Sequence, residues 1–421
     1  MIQPHRRAVA LAVAGLFPIA GLAQQQQVRP PIAQYGVDVG TRNMSIPGMP
    51  TGGMGGMAGM MMGGGMGGGP QKELWLGLRS TQKPAGAPEA QHAIPPGMAM
   101  GPALPLLPPP PAQGGRATPD EERPMEKPKA RLLVYWGCGE AIRPGQPKVA
   151  DTEKMTMQQF GQALAGRSPP DRASAIRNAQ LRWPNEREPK QVPANASLRG
   201  DQVVQGNATP DIRFAIGDRQ DFMAPVEVVA RGGMPGPFAL EWRSLPTAQG
   251  YFLQAIGHRQ ATGETIIWTS SEVQDTGWGL MGYLPNDFLR RMIGEKVVLP
   301  ADATRCAIPR GIFENVEGAM LQLIGYGEEL NLVHPPRPAD PKVAWEQLWT
   351  VKVRVKSVGM LPLGLDMGED AGPARSRSRA PGRPTGEAPS PPEVPQKAEK
   401  APNPLDDAAD AVNKLKGLLK F

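Results

Sequence analysis

A methionine-rich tract in the first quarter of the chain contains the residues best suited to metal chemistry. Glycine, alanine and the methionines themselves make up this tract, whose candidate ligands are Met54, Met57, Met60, Met61, Met62 and Met66. Thioether sulfur is a soft ligand that suits Cu(I), so this spacing predicts copper binding without a preformed pocket. The tract has no histidine or cysteine, and a glycine-rich arm without any metal function has the same composition. Both interpretations remain open.

Residues for nucleophilic or acid–base catalysis are few. The sequence has no Gly-x-Ser-x-Gly elbow, no His-Glu-x-x-His helix and no Cys-x-x-Cys pair. Ser80 and Lys83 match Ser-x-x-Lys, but the Lys-Thr-Gly partner of penicillin-binding enzymes is absent. His258 and His334, each beside a predicted strand, are the general-base candidates of an envelope hydrolase. We expect a protein without catalytic residues or a cofactor, with the hydrolase as an alternative.

Large aromatic residues in a stretch with several glycines, residues 278–294, offer a different kind of site. Trp278, Tyr283 and Phe288 supply the contact area that partner-binding surfaces use. The same stretch has a proline start and a glycine stop around a short helical pattern. It therefore predicts either a partner-binding patch or a cap over the open end of the neighbouring β-structure.

The end of the chain, residues 404–421, has the pattern of an amphipathic helix. Asn403 precedes it as a cap, and Pro404 takes the first helical position. Such a helix docks on a protein partner at the cell envelope or on the chain's own sheet, and contact with a membrane surface is the alternative. Its apolar stripe contains Leu405, Val412, Leu415 and Leu419.

Two cysteines, Cys138 and Cys306, are present in the whole chain. In an oxidising compartment two thiols can form one disulfide, whereas a cytosolic protein keeps its thiols reduced. The sequence leaves open a bridge between Cys138 and Cys306 and two buried, unpaired thiols.

The first residues have the order of a secretion leader. Arg6 and Arg7 precede an uncharged run over residues 8–22, and Ala23 follows at a small-residue cleavage site. This order predicts a signal peptide over residues 1–23 and a periplasmic or secreted protein. The formal net charge of +6 is small for 421 residues, so it gives little support to nucleic-acid binding.

Glycine and proline punctuate the chain on both sides of its centre. The 51 glycines and 49 prolines are far more than ordinary globular proteins use. Because glycine is costly to order and proline removes an amide donor, we expect a disordered Gly/Met/Pro-rich arm over residues 24–128. A charged, proline-rich linker is predicted over residues 361–403. Within the arm, Leu74, Leu76 and Leu78 alternate as one isolated strand would.

The centre of the chain has the pattern of a mainly β fold. A β-branched and aromatic run over residues 132–136 begins a first β-rich lobe with short helices, residues 129–223. Short alternating segments separated by turns continue through a second lobe, residues 224–336. Residues 337–360 contain a final strand with one apolar and one basic face. We therefore predict two sandwich-like lobes between long disordered segments.

The second lobe resembles a known domain family. Alternating Leu240 and Trp242, followed by Ala248, Gly250 and Tyr251, look like the second and third strands of a fibronectin type III domain. The resemblance covers residues 224–336 and implies a sandwich in which a tryptophan and a tyrosine pack between two sheets.

A second resemblance concerns the cell compartment. One short stretch is similar to uncharacterised exported proteins of Gram-negative bacteria, and its residues are Tyr135, Trp136, Gly137, Cys138, Gly139 and Glu140, together with Gly145 and Gln146. The similarity implies an exported setting and no activity. With the leader and the sandwich pattern, it favours a non-enzymatic binding or scaffold protein of the cell envelope. The alternatives are Cu(I) binding by the methionine tract and an envelope hydrolase.

Overall fold

The computed structural model describes residues 26–44, 69–110, 130–170, 176, 178–316 and 318–364. Within these ranges the chain is mainly β, with several sheets and two α-helices. The predicted leader, the methionine tract, nearly all of the predicted linker and the predicted terminal helix lie outside the described residues.

Strands and helices are numbered separately along the chain. The strands are β1 (Val28–Arg29), β2 (Ala33–Met44), β3 (Gln71–Ser80), β4 (Ala90–Ala93), β5 (Ala103–Leu106), β6 (Arg131–Trp136), β7 (Lys148–Asp151), β8 (Leu181–Trp183), β9 (Gly200–Gly206), β10 (Ile212–Ile216), β11 (Val228–Arg231), β12 (Phe238–Trp242), β13 (Gly250–Arg259), β14 (Glu264–Thr269), β15 (Leu299–Pro300), β16 (Arg305–Ile308), β17 (Ala319–Tyr326), β18 (Leu330–His334), β19 (Trp345–Glu346) and β20 (Trp349–Leu363). The helices are α1 (Met157–Ala163) and α2 (Asn286–Gly294).

One large sheet runs through the described residues and contains eleven strands. Nine of them follow in the order β7-β6-β14-β13-β17-β20-β2-β3-β8, while β15 pairs with β13 and β18 with β20. At its centre β2 and β20 lie in parallel: Ala33 is beside Trp349 at one end and Met44 is beside Met360 at the other. The first and last long strands of the described chain therefore form the middle of the sheet.

Three smaller sheets complete the fold in the described ranges. Their strand orders are β10-β9-β4-β5, β11-β12-β16 and β1-β19. Side chains from the four-stranded and three-stranded sheets join those of the large sheet in one hydrophobic cluster. Its large aromatic members are Tyr35, Trp183, Phe214, Phe238, Trp242, Tyr251, Trp268, Phe313 and Trp349.

The structure corrects the prediction of a disordered arm over residues 24–128. Five strands, β1 to β5, lie within it, and the alternating leucines at 74, 76 and 78 belong to β3, which pairs along its length with β2. In β2 the inward residues Tyr35, Val37 and Val39 alternate with small or polar ones such as Gly36 and Gly40. Because every second residue of this strand resembles the surrounding glycine-rich sequence, the alternation of inward and outward residues is hard to recognise.

The predicted boundary between two lobes at residues 223 and 224 does not divide the sheet. Strand β6 of the predicted first lobe pairs in parallel with β14 of the second, with Leu133 beside Ile266. The final strand differs too, because β20 is central and extends to Leu363. Its basic face is largely covered: Arg354 is 9% exposed.

Both helices are short and end in places that the sequence indicates. Thr156 and Gln159 form a reciprocal capping box at the start of α1, in the lobe predicted to contain short helices. Pro285 precedes α2, which ends at Gly294. Among the described residues no helix is long and apolar enough to cross a membrane.

A disulfide joins Cys138, which follows β6, to Cys306 in β16. The structure thus selects one of the two alternatives that the sequence leaves open. Because β16 pairs with β12, the bond connects the large sheet to the three-stranded sheet. Nearby, the amide of Gly139 donates to the carbonyl of Ala307 at 3.0 Å, which adds a second link between the same two segments.

A buried hydrogen-bond chain connects the large sheet to the four-stranded sheet. The Tyr35 hydroxyl lies 2.8 Å from Nδ1 of His92, and Nε2 of His92 lies 3.0 Å from Oε1 of Gln202. The Gln202 amide nitrogen donates to two backbone carbonyls, so its oxygen must accept from His92. Nδ1 of His92 is then the acceptor for Tyr35. Every polar group of this hydrogen-bond chain is satisfied only while His92 is neutral.

This arrangement predicts a pH-dependent contribution of His92 to stability. Complete burial lowers the pKa of His92 from 6.5 to about 4 in the folded protein. As pH falls from 6.5 towards 4, the unfolded chain binds a proton that the folded chain does not, so stability decreases. We expect a loss of about 2 kcal/mol between pH 7.5 and pH 5 from this group.

Urea unfolding at both pH values, with wild-type protein and His92→Gln, measures that contribution. The variant lacks the titrating ring but keeps an amide, so its stability should depend less on pH by the stated amount. Carboxylates contribute equally to both proteins, which makes the difference specific to His92. Equal pH dependence in the two proteins would contradict the prediction.

Candidate functional site

The outer side of the large sheet, where β3, β2 and β20 lie side by side, concentrates polar and aromatic groups. Register places Trp75, Asp38 and Arg354 in one row across the three strands. Directly opposed residues project from the same face of a sheet. The next row contains Glu73, Gly40 and Lys356. We call this surface the polar face, and define it by Asp38, Arg42, Glu73, Trp75, Arg354 and Lys356.

Asp38 and Arg354 form a two-bond ion pair at its centre. Nε of Arg354 donates to Oδ1 of Asp38 at 2.6 Å, and Nη2 donates to Oδ2 at 2.5 Å. The two residues are 7% and 9% exposed. Such a planar, double contact fixes both side chains, because the guanidinium fork matches the carboxylate geometry.

Tyr283 lies over the two cations of β20. Its ring centre is 4.9 Å from the Arg354 guanidinium carbon and 4.7 Å from Nζ of Lys356, distances typical of cation–π contacts. Burial raises the pKa of the Tyr283 hydroxyl well above its usual value, so the phenol stays neutral. The aromatic ring therefore covers two of the three cations on the basic face of β20.

The segment around α2 holds Tyr283 in this place. The side chain of Asn286 accepts from the amide of Glu329 at 2.9 Å and donates to its carbonyl at 2.8 Å. The Tyr326 hydroxyl donates to the carbonyl of Leu280 at 2.6 Å. These bonds attach both sides of the tyrosine-bearing loop to the loop between β17 and β18 and to β17 itself.

Lys356 is the most perturbed amine of the polar face. Its Nζ donates to the carbonyl of Met281 at 3.1 Å beneath the Tyr283 ring. Burial lowers the pKa of Lys356 to about 8, and the cations Arg42 and Arg354 contribute while Asp38 and Glu73 oppose the shift. Near pH 8 this half-buried amine is a mixture of its charged and neutral forms, which can serve in polar recognition.

An open cleft of about 480 Å³ adjoins the polar face along β3. On its outer edge, β3 pairs with β8 over residues 76–78 and forms one isolated bridge, between Lys72 and Val192. The cleft lies between these two contacts. Trp75 is 50% exposed on one wall. Residues of the facing loop line the other wall, among them Pro184, Lys190 and Pro193.

Trp183 also lines the cleft and has an unusual polar group. Its side chain is 1% exposed, yet within the described part of the chain its Nε1 has no hydrogen-bond partner. An unsatisfied buried donor is costly, by about 1–3 kcal/mol. The cleft therefore offers an exposed indole and proline rings, while the Trp183 donor is buried on the core side of the sheet.

The three aromatic residues predicted to form a partner patch lie in separate places. Phe288 is buried in a cluster with Phe252 and Leu289. Trp278 is half-buried and packs with the cluster that contains Phe160. Of the three, only Tyr283 contacts the polar face, through Arg354 and Lys356. The apolar residues of the predicted terminal helix and the candidate copper ligands lie outside the described residues.

The hydrolase candidates have neighbours of other kinds. Nδ1 of His258 lies 3.4 Å from the Thr265 hydroxyl, and His334 stacks on Trp349 with ring centres 5.1 Å apart. Neither contact supplies the carboxylate that orients a general base. Ser80 is buried at the end of β3, where its hydroxyl accepts from the amide of Gln82 at 3.1 Å.

Sequence reasoning missed most of the polar face, although one signal was available. Trp75 stands between Leu74 and Leu76, so when those leucines point inward the tryptophan must point outward. The pairing of Asp38 with Arg354 has no comparable local signal. In the described ranges no group of three or more His, Cys, Asp or Glu residues is placed to hold a metal ion.

The sequence matches no protein-family model and none of the curated proteins, and the structure matches none of the solved structures.

Proposed function

We propose that this chain is a non-enzymatic, exported binding or scaffold protein of the cell envelope. The observation that carries the proposal is the half-exposed Trp75 on the wall of an open cleft beside the polar face. Tryptophan is enriched among residues that dominate binding energy, and concave sites with a few fixed polar groups are the usual binding sites. The ion pair of Asp38 and Arg354 lies in the same cross-strand row as Trp75 and fixes polar groups beside the cleft.

An envelope setting is supported by two independent features. The leader pattern over residues 1–23 is typical of export, and it is read from the sequence alone. The disulfide between Cys138 and Cys306 is of the kind that persists in oxidising compartments such as the periplasm.

We further propose a fibronectin type III-like arrangement for the second predicted lobe. Strands β11, β12 and β16 form one sheet, while β13, β14 and β17 belong to another. Trp242 and Tyr251 meet between these sheets with ring centres 5.7 Å apart. A sandwich of this type presents loops and edges to partners without catalytic groups, which suits a scaffold role.

Trp75→Ala is expected to weaken binding to a solubilised envelope fraction by about thirtyfold. This is the effect of removing an aromatic anchor that contributes about 2 kcal/mol. The measurement is a saturation curve with the full mature chain immobilised and the fraction titrated over it.

Val229→Ala serves as the matched control. Val229 is 54% exposed and lies in β11 of the three-stranded sheet, so its removal changes apolar exposure without touching the cleft. Saturable binding by wild type and Val229→Ala, together with its loss in Trp75→Ala, supports the proposal. Equal curves for wild type and Trp75→Ala, or no saturable binding by wild type, overturns it.

A further inference from the structure

We propose that the Trp75 cleft binds a proline-rich stretch of this same chain, residues 389–395, as an extended polyproline II segment. The inference rests on the proposed function, since it names the ligand class of the same cleft. That stretch reads Pro-Ser-Pro-Pro-Glu-Val-Pro. Proline-rich segments take the polyproline II form intrinsically and dock in grooves lined by aromatic side chains.

The cleft has the groups that such a ligand requires. A proline ring can stack on the exposed face of Trp75, which is 50% exposed. Backbone carbonyls of a polyproline II segment have no internal hydrogen bonds and need donors. Gln191 lines the cleft from its facing wall and is exposed, so its side-chain amide can donate to one such carbonyl.

The length of the following chain allows this stretch to reach the cleft. Between Gly364, where the described chain ends, and Pro389 the residues span up to about 80 Å when extended. A folded body of about 300 residues is roughly 50 Å across. At an effective concentration of about 1 mM, even a dissociation constant of about 0.1 mM would leave the cleft about nine-tenths occupied.

Charge favours this stretch over other proline-rich sequences of the chain. Residues 384–395 contain Glu387 and Glu393 and no lysine or arginine. The cleft lining has two cations, Lys72 and Lys190, against one carboxylate, Glu73, and Lys190 also pairs with Glu188 at 2.9 Å. The arginine-rich residues 375–383 are instead positively charged. The uncharged prolines at 108–110 are described by the structure and do not line the cleft.

Fluorine NMR of the full mature chain labelled with 5-fluorotryptophan tests the proposal. The Trp75 resonance is identified by its absence in Trp75→Phe. We expect it to move when Pro391, Pro392 and Pro395 are replaced together by alanine. A synthetic peptide of residues 387–397 should return it to the wild-type position. The control replaces Pro373, Pro381 and Pro384, which lie in the same tail, and should leave the resonance unchanged.

Three results would overturn the proposal. They are an unchanged Trp75 resonance in the 391/392/395 variant, an equal movement in the control variant, and a wild-type resonance that moves on dilution, which would indicate a second copy as the occupant. The envelope-binding assay is separate. If Trp75→Ala loses envelope binding while the proline variants leave Trp75 unmoved, this inference fails and the proposed function stands.

Discussion

Replacing Cys138 and Cys306 together by alanine is expected to lower the free energy of unfolding by about 4 kcal/mol. The disulfide spans 168 residues, and a cross-link over so long a segment removes much conformational freedom from the unfolded chain. It also connects the large sheet to the three-stranded sheet, so its loss should affect the packing of β16 first. Guanidinium unfolding of the oxidised wild type and the double variant measures the difference.

Reduction provides the internal control for that measurement. Wild-type protein under dithiothreitol should fall to the stability of the double variant, while the double variant should not respond to the reductant. If oxidised wild type and the double variant differ by less than about 1 kcal/mol, the cross-link does not restrict the unfolded chain as argued.

Asp38→Asn is expected to destabilise the protein by about 3 kcal/mol, the second largest effect. The change keeps the size of the side chain but removes the charge that balances Arg354, which is 9% exposed. A buried guanidinium without its carboxylate is much less stable than the pair. Urea unfolding near pH 7 measures the difference in the free energy of unfolding. We also expect a small change in the hydrogen exchange of the loop that carries Tyr283.

The double variant Asp38→Leu with Arg354→Met tests whether the unbalanced buried charge causes the loss of stability. Replacing both partners by apolar residues of similar volume removes the buried charges together, so most of the lost stability should return. A double variant as unstable as Asp38→Asn would mean that the contact is not the source of the loss. A single variant as stable as wild type would contradict the argument directly.

Both predictions concern contacts between segments that lie far apart in the chain. Sequence reasoning could predict local patterns but not such distant contacts. Strands with strict alternation were recognisable: Phe238, Leu240 and Trp242 face the core as their spacing predicts. The same holds for Ile212, Phe214 and Ile216. In these strands the period of two is a local property, and burial follows it.

Strand β2 shows why the remainder was hidden. It alternates buried Tyr35, Val37 and Val39 with Gly36, Asp38 and Gly40, and a glycine-rich neighbourhood makes that pattern look like linker. It pairs with β3 on one side and with β20 on the other, and Arg354 of β20 is 316 residues from Asp38. No window of sequence contains both partners, so the polar face could not be assembled from local patterns.

The candidate cleft, too, was only partly predictable from the sequence. The alternation of Leu74, Trp75 and Leu76 fixes the tryptophan on the outer side once the leucines are buried. The opposite wall comes from the loop after β8, and the free donor of Trp183 arises from packing rather than from any motif.

By itself, the order of residues determined a mainly β centre, the position of most of its strands and the short helix after Pro285, because each depends on neighbours a few residues away. Only the tertiary structure decided that the first and last long strands are partners, that Cys138 meets Cys306, and that Tyr283 covers Arg354. Those contacts depend on the closure of long loops, and hydrophobic burial over the whole sheet, rather than local preference, sets which distant segments meet.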